Sequence, residues 1–146
     1  MKTKFNFNSQ VCTSRLQSEK LLALGLKKET ADMYWLRMVK DYKGDDIPTI
    51  RDKWWLSFVG FTVGAGFEQY ECIPAWSLHR LIEMMPREIE CDVENGLSIN
   101  LFNRGYDAVT YYEVIGYYTD KNLYNAIIAC MEELIKEGYF PKEYLD

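Results

Sequence analysis

From residue 123 onward, apolar side chains recur at helical spacing. Leu123, Ile127, Cys130 and Leu134 stand at i, i+4, i+7 and i+11, and Tyr124, Ile128, Met131 and Ile135 widen the stripe. The pattern predicts an amphipathic helix over 121–137, capped by Asp120 and stopped by Gly138. Two shorter helices carry their own punctuation. Ser14, followed three residues later by Gln17, has the capping-box pattern for a helix running to Leu24, and Gly25 supplies a left-handed stop before Leu26. Ser77 is placed to cap a helix over 78–85. There Trp76 and Leu81 have the spacing of a hydrophobic staple, and Pro86 ends the helix.

Elsewhere the period is two. Ile89, Cys91 and Val93 alternate with Glu88, Glu90, Asp92 and Glu94, and Leu97, Ile99 and Leu101 resume the alternation after Asn95-Gly96. Asn-Gly between alternating apolar residues is a strong hairpin signal, so a hairpin is expected over 88–102, turning at Asn95-Gly96, with the 121–137 helix on its apolar face. A further strand is expected within 109–118, after an Asn103-Arg104-Gly105 turn. Two earlier strands are expected at 31–39 and 54–63, separated by a loop at Lys43-Gly-Asp-Asp. No repeat, low-complexity tract or linker interrupts the chain. The expected fold is one α+β domain over 1–146: a mostly antiparallel sheet with two or three helices, the C-terminal helix packed on one face.

Composition narrows the partners. With 146 residues and 48% hydrophobic content, the chain can fill a core, which excludes disordered and collagen-like readings. It has 17 Lys+Arg against 22 Asp+Glu, a net charge of −5, and its basic residues form no stripe. Direct duplex nucleic-acid binding, which needs phosphates neutralised by a local cationic surplus, is therefore not expected. The start Met1-Lys-Thr-Lys-Phe lacks the apolar core of a signal peptide, and the apolar stretch 54–67 is too short and Gly-rich to span a bilayer. A cytoplasmic protein with no membrane contact is the resulting expectation. Cys12, Cys72, Cys91 and Cys130 form no C-x-x-C pair, so reduced structural thiols are expected, with no metal and no cofactor.

Several stretches also resemble known sequences. Glu29-Thr-Ala-Asp-Met-Tyr-Trp, Ile73-Pro-Ala-Trp-Ser-Leu, 81–86 and 122–138 are similar to small uncharacterised proteins of Bacteroidetes and of their prophages or mobile elements. The likeness covers most of the chain outside 43–70. It implies an α+β domain in a mobile-element setting and brings no activity and no catalytic residue.

Candidate chemistry is sparse. Gly60, Gly64 and Gly66, with Tyr117 and Lys121 at Y-x-x-x-K spacing, are similar to the cofactor loop and catalytic pair of short-chain dehydrogenases. A dinucleotide loop must lead from a strand straight into a helix, and here residues 67–73 and Pro74 intervene, so a bent strand or bulge in a variable hairpin is expected instead. His79, in the first turn of its helix, could serve a small enzyme if Cys72 or Cys91 met it in space as nucleophile. Glu88, Glu90, Asp92 and Glu94 form an acidic row at about 6.6–7 Å spacing, a face for a basic partner or a mimic of DNA phosphates. The same row also reads as a solvated face that deters edge pairing. A strand splays such carboxylates too far apart to converge on a cation.

The compositional outlier is the aromatics: 7 Phe, 4 Trp and 11 Tyr, 15% of the chain. Tyr106, Tyr111, Tyr112, Tyr117 and Tyr118 crowd one region, and adjacent Trp54 and Trp55 must point to opposite faces of a strand. Large, stiff, amphipathic rings suit a protein interface, although cross-strand stacking uses them equally well. The expected function is thus binding rather than catalysis: an accessory protein acting through aromatic and acidic surfaces on a protein partner or on itself as a homodimer.

Overall fold

The computed structural model describes residues 9–41, 43–47, 53–58, 69–89, 95–102, 105–108, 116 and 118–146. Helix α1 (Arg15–Ala23) begins as its sequence dictates: Gln17 N–H donates to Ser14 Oγ at 3.2 Å, and Gln17 Oε1 accepts from the Ser14 N–H at 2.9 Å. Gly25 then adopts φ 97° and turns buried Leu26 back under the helix. A 3-10 turn, Lys28–Thr30, leads into strand β1 (Met33–Met38). β1 is the centre of a three-stranded antiparallel sheet ordered β2-β1-β3, with β2 at Trp55–Ser57 and β3 at Tyr70–Ala75. The loop expected at Lys43-Gly-Asp-Asp is a tight turn in which Asp41 Oδ1 accepts from the N–H groups of Lys43 and Asp45.

Helix α2 (Leu78–Met84) is capped by Ser77, whose hydroxyl accepts from the Arg80 N–H at 3.1 Å. Met85 is extended, as a residue before proline must be, and the helix stops there. Two small antiparallel sheets follow. β4 (Glu88–Ile89) pairs with β5 (Asn95–Gly96), and β6 (Asn100–Phe102), β7 (Gly105–Ala108) and β8 (Tyr118–Asp120) form a second three-stranded sheet. Helix α3 (Leu123–Lys136) packs on β7 and β8. After Gly138 (φ 80°) the chain runs through a 3-10 turn, Lys142–Tyr144, to a bridge between Leu145 and Leu26.

The fold is α+β, with every described strand pair antiparallel and the C-terminal helix against one sheet. Three local expectations are corrected. Asn95-Gly96 is not the turn of a hairpin but strand β5, with Gly96 opposite Glu88 and Asn95 opposite Ile89. The local turn preference of Asn-Gly yields to the burial of Ile89 in the main core, which fixes the register. The expected 88–102 hairpin is accordingly split between two sheets, and α3 packs on β7 and β8 instead. Gly105, expected in a turn, instead opens strand β7, because Phe102 pairs with Gly105 and Leu101 with Tyr106. Of the strand expected within 109–118, residues 109–115 and 117 lie outside the described residues, and Tyr118 begins β8. Finally, Asp120 does not cap α3. It is the last residue of β8, and Asn122 takes the role, its Oδ1 accepting from the Tyr124 N–H at 2.9 Å.

Among the described residues, two clusters hold the buried apolar side chains. The larger gathers Leu21 and Leu26 with Trp76, Leu81 and Met84 and with the α3 stripe of Ile127, Cys130, Met131 and Leu134. Trp76 sits wholly inside it, and its indole N–H is satisfied by Thr30 Oγ1 at 2.9 Å. Its backbone N–H donates to Thr13 Oγ1 at 3.0 Å, and that hydroxyl in turn meets Ser18 Oγ at 2.7 Å. One tryptophan thereby ties α1, the 3-10 turn and the start of α2 together. The smaller cluster, Cys12, Met33 and Ala75 with Trp35 and Leu56, lies under the β1–β3 sheet.

Candidate binding surface

The β1–β3 sheet has two unlike faces, and the register sets them. Opposite residues of antiparallel strands share a side, so Met33, Trp35 and Arg37 of β1 stand with Leu56 of β2 and with Glu71, Ile73 and Ala75 of β3. Residues 12 and 13 cover this inner face: Cys12 packs on Met33 and Ala75, and the Trp35 indole donates to the Thr13 carbonyl at 2.9 Å.

The outer face carries Tyr34, Leu36 and Met38, with Trp55 and Ser57 on one side and Tyr70, Cys72 and Pro74 on the other. None of these eight side chains is charged. Trp55 is 42% exposed and Met38 40%. The Trp55 and Tyr70 rings meet edge to face across β1, with centroids 5.9 Å apart. Leu36, opposite both Trp55 and Cys72, is left only 3% exposed. The aromatic pair thus forms a stiff ridge whose outer side meets water, flanked by a flexible methionine.

Among the residues singled out by sequence, Trp54 and Trp55 do point to opposite faces. Trp55 is the outward one; Trp54 lies on the covered side, where the guanidinium carbons of Arg15 and Arg37 stand 4.8 and 4.9 Å from its ring centroid. Tyr118 is half-buried at the rim of the main core, and burial raises its phenol from the ordinary value. It therefore does not join the exposed patch. Tyr111, Tyr112, Tyr117, Glu90, Cys91, Asp92 and Glu94 lie outside the described residues, as does the glycine-rich 60–66 segment. Of the acidic row, only the backbone of Glu88 is described, in strand β4.

The enzyme-type constellation does not assemble among the described residues. His79 is 83% exposed on α2, and its Nε2 stands 3.0 Å from Glu83 Oε1, one helical turn away. Cys72 is on the outer sheet face, and burial raises its thiol, the opposite of what activates a nucleophile. Burial lifts the Cys130 thiol to about 12, and burial with the nearby charge of Asp32 lifts Cys12 to about 11; these are inert core thiols. Cys12, Cys72 and Cys130 are free of disulfides. The described residues include no group of three or more His, Cys, Asp or Glu able to hold a metal ion, and no helix long and apolar enough to cross a membrane.

Sequence reading missed Met38 and Tyr70, which complete the exposed face. The available signal was that 33–38 is apolar at every position except Arg37. Such a strand has two apolar faces and needs a cover for each. Comparison with protein-family models, with curated proteins and with solved structures finds no match. The resemblance to mobile-element proteins therefore rests on the sequence stretches alone.

Proposed function

We propose that this protein acts by binding, and that the outer face of the β1–β3 sheet receives an apolar segment of a foreign protein in a transient contact. The observation that supports this most is the uncharged outer face, with Trp55 and Met38 exposed on a rigid three-stranded frame. Three strands about 4.8 Å apart and six residues at about 3.4 Å give a footprint on the order of 300 Å². A standard stable interface takes about 800 Å² from each partner. That area falls short of a permanent homodimer and suits a short apolar segment anchored on one tryptophan. An accessory role of this kind accords with the mobile-element setting that the sequence resemblance implies.

The test is selection of peptides from a random library on the wild-type protein, followed by mapping of the bound peptide on amide resonances. Selected peptides should be apolar and should perturb 34–38, 55–57 and 70–74 while leaving α2 around His79 unmoved. Trp55→Ser should weaken them at least about tenfold, the loss of one modest interface anchor. A concentration-dependent dimer that Trp55→Ser dissolves would replace the foreign partner by a second copy of the chain. Peptides that map elsewhere would refute the surface altogether.

A further inference from the structure

Among the described residues, the covered side of the same sheet gathers two guanidiniums and an indole N–H beside one carboxylate. At one end of that face Glu71, Arg37 and Trp54 form a row across β3, β1 and β2, Trp54 lying one residue beyond the Trp55–Leu36 pair. Arg37 Nε donates to Glu71 Oε2 at 2.8 Å, and the Arg37 guanidinium carbon is 4.9 Å from the Trp54 centroid. Arg15, the first residue of α1, brings a second guanidinium to 4.8 Å from the same ring. One cation is enough for a cation–π contact, and two against one indole repel each other. Glu71 lies on the flank of Arg37 away from Trp54, so it offsets Arg37 and leaves Arg15 uncompensated. No carboxylate or other acceptor among the described residues reaches Arg15.

Two further observations point the same way. The first turn of α1 contains no acidic residue, so the positive end of the helix dipole adds to Arg15 instead of being answered. Trp54 Nε1 is shut off from water and has no hydrogen-bond partner, alone in this among the side-chain atoms of the described residues. The contrast with the Trp35 and Trp76 indoles, each satisfied at 2.9 Å, marks it as an incomplete arrangement.

We propose that Arg15, Trp54 and Arg37 form a binding site for a small oxyanion, a carboxylate or phosphate group, which pairs with the Arg15 guanidinium and accepts the Trp54 N–H. Arg15 is exposed and belongs to α1, outside the sheet, so its guanidinium is open to an anion from solvent. Bidentate pairing of a planar guanidinium with such a group is the strongest anion contact a side chain offers. A polyanion is excluded by the surroundings. The chain carries a net −5 and Glu71 borders the site, so only a compact anion gains more from the local donors than it loses to the overall field.

The test uses the indole N–H resonances of the full-length protein. Trp54 is assigned as the resonance missing from Trp54→Phe. Inorganic phosphate and sodium acetate are then titrated at constant ionic strength against chloride. The Trp54 resonance is expected to shift to saturation with at least one of the two salts, and the midpoint to rise at least about tenfold in Arg15→Gln, the scale of one lost charge-assisted pair. The salt with the lower midpoint identifies the preferred group. A Trp54 resonance that never saturates, or that saturates equally in Arg15→Gln with native amide shifts elsewhere, overturns the proposal. Should Trp54→Phe fail to fold, all four indole resonances followed in wild type and Arg15→Gln decide the question by the same criterion.

Discussion

The core around Trp76 and the sheet around Trp54 and Trp55 solve the same problem to different degrees. In the core, a fully buried indole has its N–H bonded to Thr30, its backbone N–H bonded to Thr13, and apolar neighbours from α1, α2 and α3 on every side. In the sheet, one indole is left 42% exposed, and the other is half-buried, with an enclosed, unsatisfied N–H and two guanidiniums against its ring. Complete packing with complete hydrogen bonding serves stability. Exposed apolar area and unspent donors cost stability, and they persist where something other than folding uses them. That difference is what supports the proposal of a binding surface on the β1–β3 sheet.

The comparison breaks most readily in the core. Leu134→Ala, at a wholly buried position on α3, should cost about 3 kcal/mol, measured by urea denaturation, because the surrounding side chains cannot fill the space left behind. Nearly as large is an alkaline effect. Burial holds the Cys130 thiol at about 12 against an ordinary 9.0, so the unfolded chain loses its proton first. Stability from this group is intact below pH 9 and is lost as pH rises from 9 towards 12, by up to about 1.4 kcal/mol per pH unit. Urea midpoints at pH 8, 9.5 and 10.5 should fall in sequence, and Cys130→Ala should flatten the trend. A smaller effect sharpens the contrast between the two indoles. Thr30→Val removes the acceptor of the Trp76 N–H and should cost about 2 kcal/mol, whereas Trp54→Phe, which deletes a donor already without a partner, should change stability by less than about 1 kcal/mol.

Much of the core region was legible in the sequence, because its signals are local and covalently close. Ser14 with Gln17, Ser77, Gly25 and Gly138 act within one turn of their own helix, and the α3 stripe needs only its 3.6-residue period to show which side is buried. Pairing was less legible, since it depends on partners distant in sequence. Asn95-Gly96 has the chemistry of a tight turn, yet it became strand β5 once Ile89 was drawn into the core. The cap of α3 moved from Asp120 to Asn122 for a related reason: pairing with Tyr106 keeps Asp120 in strand β8. The surface was half legible. That Trp54 and Trp55 diverge follows from the alternation of any strand, but which of the two faces outward does not. Met38 and Tyr70 join Trp55 only through β1 pairing with both β2 and β3, and Arg15 meets Trp54 only because α1 packs against this sheet. No spacing in the sequence encodes either.

Trp55→Ser is the substitution on which the account turns, because it removes the centre of the proposed surface without touching the core. The decisive measurement is its urea-denaturation curve alongside its affinity for a library-selected apolar peptide. The account predicts a stability change within about 1 kcal/mol, as expected for a half-exposed side chain, together with an affinity loss of at least about tenfold. A stability loss as large as that of Leu134→Ala, with peptide affinity unchanged in the folded protein, would contradict it and return Trp55 to the core.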